Sequence, residues 1–200
     1  MAPRWADEQD EIQFSEPILA KKDCKVRIDF AEPAEWKVKE TVPGHGGETY
    51  KAMKLTVIIT DENVQTEHAD AKPRLTIEHQ LNIEKYPYLD KKTGTVKWLG
   101  RAGLYDLEAA LGFEPRFVGP DGQQVEPYVT RTGRKAAPKI DGVKQMLNPD
   151  FAAAYFHEDG TVNPSNWIEK NVYADIDVER SDQYGDRNVI KRFKAAPPQV

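Results

Sequence analysis

Apolar and polar positions alternate through much of the first half of the chain. Val26, Ile28 and Phe30 are separated by Arg27 and Asp29, a period of two that sends successive side chains to opposite faces of a strand. Pro33 interrupts this strand, and Trp36 and Val38 continue it after a bend. The β-branched run from Thr56 to Thr60 is the strongest strand signal and predicts a central strand. Leu75, Ile77, His79, Leu81 and Ile83 keep strict alternation and predict another, with all five on one face. The connections read as loops, glycine-rich at residues 41–50 and polar at residues 62–73.

After residue 100 the period changes. Leu104, Leu107 and Leu111 stand at helical spacing, with Gly112 where a left-handed cap belongs. Asn148 followed by Pro149 predicts the start of a second short helix. The segment between them reads as turns with one short strand. From Asn171 to Phe193 the pattern predicts a β-hairpin. Val172, Ala174, Ile176 and Val178 share one face of its first strand, and Tyr173, Asp175, Asp177 and Glu179 share the other. Tyr184, Gly185 and Asp186 supply the turn. The returning strand puts Val189 and Phe193 on one face and Asn188, Ile190 and Arg192 on the other. Strands, then two short helices, then a hairpin predict a mainly β, α+β fold or a small decorated barrel, and do not suit alternating βαβ units.

Composition narrows the function classes. Two hundred residues suit one decorated domain or two very small ones, and a 39% apolar content predicts a modest core with long loops. The formal charge of −5 argues against nucleic-acid binding over the whole surface, yet leaves room for a local basic groove. Cys24 is the only cysteine, so no intramolecular disulfide forms, which suits a reducing cytosol. The polar, acidic start of the chain is no signal peptide, and no apolar run approaches a membrane span. A soluble, cytoplasmic protein without membrane contact is expected.

Catalytic chemistry finds little support. His45, His68, His79 and His157 lie far apart and form no metal-ligand spacing. No nucleophile elbow is present, and the glycine-rich stretches around His45 and before Leu104 lack a phosphate-loop pattern. Asp175, Asp177 and Glu179 on one strand face are explained by solvation. No catalytic residue, metal or cofactor is therefore expected. Basic and aromatic residues are more informative. From Tyr128 to Lys144 five bases stand against one acid, a local charge of +4. Arg187, Lys191, Arg192 and Lys194 add bases on the last strand, and residues 84–101 carry aromatics between lysines. Single-strand binders combine such a basic groove with aromatics on which bases stack. Trp36 and Trp98 are assigned to the core first, leaving Tyr86, Tyr88 and Tyr128 as stacking candidates.

Three stretches then carry a resemblance. Residues 26–62 hold a strand, a glycine-rich loop and a strong strand, and residues 98–115 hold the helix with Leu104, Leu107, Leu111 and Gly112. Residues 167–197 hold Trp167, Lys170, Val172, Ala174, Ile176, Glu179, Gly185, Arg187, Asn188, Ile190 and Phe193. In this pattern, over about three quarters of its length, the chain resembles a family of phage and prophage single-stranded-DNA-binding proteins with OB-like folds, encoded near replication and recombination genes. The resemblance implies an OB-like Greek-key barrel at residues 21–196, between an acidic arm at 1–20 and a tail at 197–200, with a loop-rich insertion at about 114–147. It implies sequence-tolerant binding of single-stranded DNA, replication or recombination proteins as partners, and the cytoplasm of a host cell as location. Arg131, Arg134, Lys135, Arg187, Lys191 and Arg192 are the expected backbone contacts, and Tyr86, Tyr88 and Tyr128 the expected stacking residues. Departures are the insertion and the absence of an acidic C-terminal tip; Asp7, Glu8, Asp10 and Glu11 stand at the other end. Oligomeric state stays open. So does a second class, a β-rich structural or interaction protein such as a virion component or carbohydrate-binding module, while an enzyme ranks last.

Overall fold

The structure, a computed structural model, describes residues 15–130, 135–183 and 185–196. In chain order its elements are β1 (Ser15–Pro17), β2 (Lys21–Lys37), β3 (Thr49–Ile59), β4 (Lys72–Arg74), β5 (Thr76–Asn82), β6 (Tyr86–Leu89) and β7 (Val96–Leu99). Helix α1 (Ala102–Ala110) follows, then β8 (Arg116–Val118), β9 (Tyr128–Val129), β10 (Lys135–Ala136) and β11 (Lys144–Met146). Helix α2 (Pro149–Tyr155), β12 (Lys170–Glu179) and β13 (Arg187–Lys194) complete the chain. The protein is mainly β with two short helices, and its sheets are almost entirely antiparallel.

Five strands form the main sheet in the order β13-β12-β2-β3-β5. The long strand β2 organises it. Its first part, from Lys21 to Ile28, pairs with β12, and from Val26 to Lys37 it pairs with β3. The bend expected at Pro33 is not there. Pro33 lies inside β2 opposite Met53, and the register instead shifts between Ile28 and Phe30. Beyond Ile28 only β3 borders the strand, so Pro33 occupies an edge, where a missing N–H is tolerated. The extra residue at the bulge sharpens the local twist.

Inward residues of all five strands build one core. Cys24, Val26 and Ile28 meet Leu55, Val57, Ile77, Val172, Ala174, Ile190 and Phe193, all buried. The helices close it from one side with Leu104, Leu107 and Phe151. Trp167 is fully buried against Tyr155, with ring centroids 4.5 Å apart, and its indole N–H donates to the Tyr155 carbonyl at 3.2 Å. Both predicted helix signals appear. Gly112 takes φ +90°, its N–H bonds the Ala109 carbonyl, and the Phe113 N–H bonds the Glu108 carbonyl, the paired closure of a glycine-capped helix. Asn148 caps α2 by accepting the Asp150 N–H at 2.9 Å.

Two sequence expectations shift. The phase of β13 changes at a bulge: Ile190 pairs with Ile176 and Arg192 with Asp175, which leaves Lys191 as the extra residue. Asn188, Ile190 and Phe193 are therefore all buried, on the face the simple alternation divided. Leu75 precedes β5 and is exposed, unlike Ile77 and Leu81 of the same pattern. At the N-terminal end, β1 pairs in parallel with β4, and Ile18 is buried in the core. The described part of the 114–147 segment forms two small ribbons, β8 with β11 and β9 with β10, with Phe117 buried.

The sheet curls until its outermost strands meet. The His79 ring of β5 lies 5.6 Å from the Phe193 ring of β13. Each neighbouring pair in the sheet is antiparallel, so four reversals leave β13 and β5 running in the same direction. No ladder joins them, so the barrel does not close. Helix α1 lies across this seam. Arg192 of β13 approaches Asp106 at 3.6 Å, and a Cβ at Gly103 would stand 2.6 Å from the end of the Leu81 side chain of β5, so helix and strand pack closely there.

Candidate functional site

A groove of about 370 Å³ runs along the outside of the sheet beside the seam. Lys54 of β3 and Glu78 and Gln80 of β5 form its floor, with His79 at the seam. Arg187, Asn188 and Val189 of β13 line one side, and Trp36 of β2 stands at one end. Lys54 and Gln80 are direct cross-strand partners, so the polar face of the predicted central strand supplies this surface. Lys54 is held between two acids, 3.2 Å from Glu78 and 3.9 Å from Glu32. Burial pushes the pKa of His79 down to about 4, so its ring is neutral.

Aromatic rings continue from Trp36. It lies 5.7 Å from Tyr86, which lies 6.2 Å from Tyr50, which in turn lies 6.1 Å from Trp98. Trp98 meets the His45 ring edge-on at 5.2 Å. Trp36 and Tyr50 face each other across β2 and β3. Glu48 fixes this end: it accepts the Tyr50 hydroxyl at 2.5 Å and bonds His45 Nδ1 at 2.9 Å. That hydrogen bond to a carboxylate pushes the Tyr50 hydroxyl up to about 12, and holds Glu48 below the usual carboxylate range. The cluster joins the 38–48 loop to the β6–β7 hairpin, which is why Trp36 and Trp98 are not core residues; Trp98 is 50% exposed.

The final hairpin answers for its own charges. Arg187 donates to Glu179 at 2.7 and 2.9 Å, Lys191 lies 3.8 Å from Asp177, and Lys194 lies 2.7 Å from Asp175 and 3.0 Å from Asp23. Asp175, Asp177 and Glu179 thus form a cross-strand ladder with the bases of β13. Lys194 holds Asp175 below its ordinary range, against the opposing effect of burial. Lys135 pairs with Glu114 on the β9–β10 ribbon, which also carries the exposed Tyr128.

The predicted residues therefore separate. Arg187 lines the groove, and Tyr86 reaches it through Trp36. Tyr88 is exposed on the same hairpin as Tyr86. Lys191 and Arg192 lie further along β13, and Tyr128 and Lys135 are not among the groove's lining residues. Arg131 and Arg134 lie outside the described residues. Trp36, assigned to the core by the sequence, lines the groove instead, and Lys54 and Gln80 are not singled out by sequence pattern. Lys54 and Gln80 become visible only when β3 and β5 are paired in register.

Burial pushes the Cys24 thiol up to about 11, and it lies within the core. Among the described residues no group of three or more His, Cys, Asp or Glu side chains is placed to hold a metal ion, and no helix is long and apolar enough to cross a membrane. Comparison with family models, curated proteins and solved structures finds no match.

Proposed function

We propose that this chain binds single-stranded DNA with little sequence preference, on an OB-like scaffold. The strand order supports the scaffold. With β2, β3, β5, β12 and β13 as its five strands, a long first strand, bulged between Ile28 and Phe30, pairs on both sides and the helices fall between the third and fourth. The parallel seam between the third and fifth strands is where such a Greek-key barrel would close. OB-folds bind oligonucleotides on the face of their second and third strands and on the loops beside it. The observation that carries the reading is that the groove lies on that face, with Trp36, Lys54 and Arg187 on its walls and the ring cluster at its end. Phosphates would take the place of Glu179 on Arg187 and of Glu78 on Lys54, with bases stacking on the aromatic end. Work in replication or recombination, in the cytoplasm of a host cell, goes with this reading.

The test is binding of a fluorescently labelled dT oligonucleotide by groove variants. Trp36→Ala and Lys54→Glu should each weaken binding about tenfold or more, and wild-type affinity in both would remove the groove from the account. A second reading, a β-rich interaction module without DNA affinity, draws on the full pairing of Arg187, Lys191 and Lys194 with carboxylates. It predicts no binding by the wild type at low salt.

A further inference from the structure

We propose that the β6–β7 hairpin is a finger of the binding site that grips single-stranded nucleic acid outside the groove. The inference rests on the single-strand reading above and assigns it residues that the groove does not contain. Residues 84–101 hold five bases against two acids, a local charge of +3 in a chain of −5. The pairing of those bases decides the matter. Lys97 is tied to Asp90. Lys85, Lys91 and Lys92 are exposed and, among the described residues, have no carboxylate partner. On β13 the opposite holds, since Arg187, Lys191, Arg192 and Lys194 each stand beside an acid. Free cations attract phosphate without first giving up a partner.

The hairpin is also built to hold its tip in place. Leu89 pairs with Val96, and the turn between them closes through the Asp90 N–H to Thr95 carbonyl bond at 3.0 Å and the Gly94 N–H to Asp90 carbonyl bond at 2.8 Å. The Asp90 carboxylate accepts the Lys92 N–H at 2.8 Å, and Gly94 takes φ +66°. Lys91 and Lys92 are thus presented on an ordered turn. Exposed rings stand behind them: Tyr88 is 37% exposed and Trp98 50% exposed. Trp98 touches Tyr50, and Tyr50 touches Tyr86 and so Trp36, so the finger joins the groove through a continuous line of rings. Unpaired lysines beside accessible aromatics are what a sequence-tolerant single-strand site requires.

The experiment is a titration of a labelled dT oligonucleotide at several salt concentrations, using the whole chain. Three variants are compared with the wild type: Lys91→Glu/Lys92→Glu, Trp98→Ala, and a charge-matched control, Lys22→Glu/Lys72→Glu, on β2 and β4. The first should weaken binding more than tenfold and reduce the salt slope by about 1.4, two phosphate contacts at roughly 0.7 each. Trp98→Ala should weaken binding about tenfold with the salt slope unchanged, because stacking releases no counterions. The control should stay within about twofold of the wild type once screened. If the wild type binds and the lysine pair behaves like the control, or Trp98→Ala behaves like the wild type, the finger is overturned while the groove stands. If the wild type does not bind at all, the single-strand reading and the finger fall together.

Discussion

Two titratable side chains, the buried Glu108 and the half-buried His79, pull stability in opposite directions as pH changes. Glu108 of α1 is fully buried: Oε1 accepts the Asn148 N–H at 2.5 Å, Oε2 has no hydrogen-bond partner among the described residues, and burial pushes its pKa up to about 7. A carboxyl group with a raised folded pKa binds more protons folded than unfolded. Its contribution is full at low pH and is lost as pH rises from about 4.5 to about 7. His79 behaves in reverse. Its folded pKa of about 4 lies below the ordinary 6.5, so stability is gained as pH rises between those values. Each shift corresponds to on the order of 3 kcal/mol. The two slopes largely cancel in the wild type between pH 4.5 and 6.5. Glu108→Gln should therefore gain stability with rising pH across this window, and His79→Leu should lose it. Melting temperatures measured from pH 4 to 8 check both, and parallel curves for all three proteins would contradict the assignment. Other titrating groups, such as His68, are common to all three and leave the differences intact.

At the scale of elements, β13 is fastened by one side chain to the start of the domain. Asn188 accepts the Ile18 N–H at 2.9 Å and donates to the Ile18 carbonyl at 2.8 Å, with both residues buried. Asn188→Ala leaves two buried backbone groups unpaired, and should destabilise by about 2–4 kcal/mol. Amide exchange at Ile18 should accelerate with it; unchanged protection would mean that Asn188 is not the fastener. Asn188 also shows the reach of sequence reading. A strict alternation groups it with Ile190 and Arg192, and only the bulge at Lys191 puts Phe193, in place of Arg192, inside with Asn188 and Ile190. A bulge depends on the neighbouring strand, so the sequence of β13 alone carries no sign of it. The helices were legible because their signals are local: Asn148 and Gly112 act within one turn of the residues they cap. Pro33 misled because an edge strand tolerates proline, and which part of β2 is an edge depends on β12.

Across the whole molecule, charge is distributed more informatively than its total suggests. The bases of β13 and the acids of β12 were both visible in the sequence, and their opposition across the hairpin follows from pairing. Reading the two strands together would have shown that those bases have partners. Among the described residues, three exposed lysines without a carboxylate partner, Lys85, Lys91 and Lys92, stand with exposed rings on the 84–101 segment, beside the groove formed by β3, β5 and β13. That groove combines residues up to 153 positions apart, from Trp36 to Val189, which no local pattern brings together.

One measurement tests the central claim most directly: fluorescence anisotropy of a labelled dT oligonucleotide titrated with the wild-type chain over a salt series, with duplex DNA as competitor. Lys54, Arg187, Lys85, Lys91 and Lys92 as phosphate contacts predict a log–log salt slope of about −3.5 on a single strand. Duplex should compete poorly, because stacking on the Trp36–Trp98 line needs unpaired bases. Absence of binding at low salt, or competition by duplex equal to that of single strand, would contradict the account.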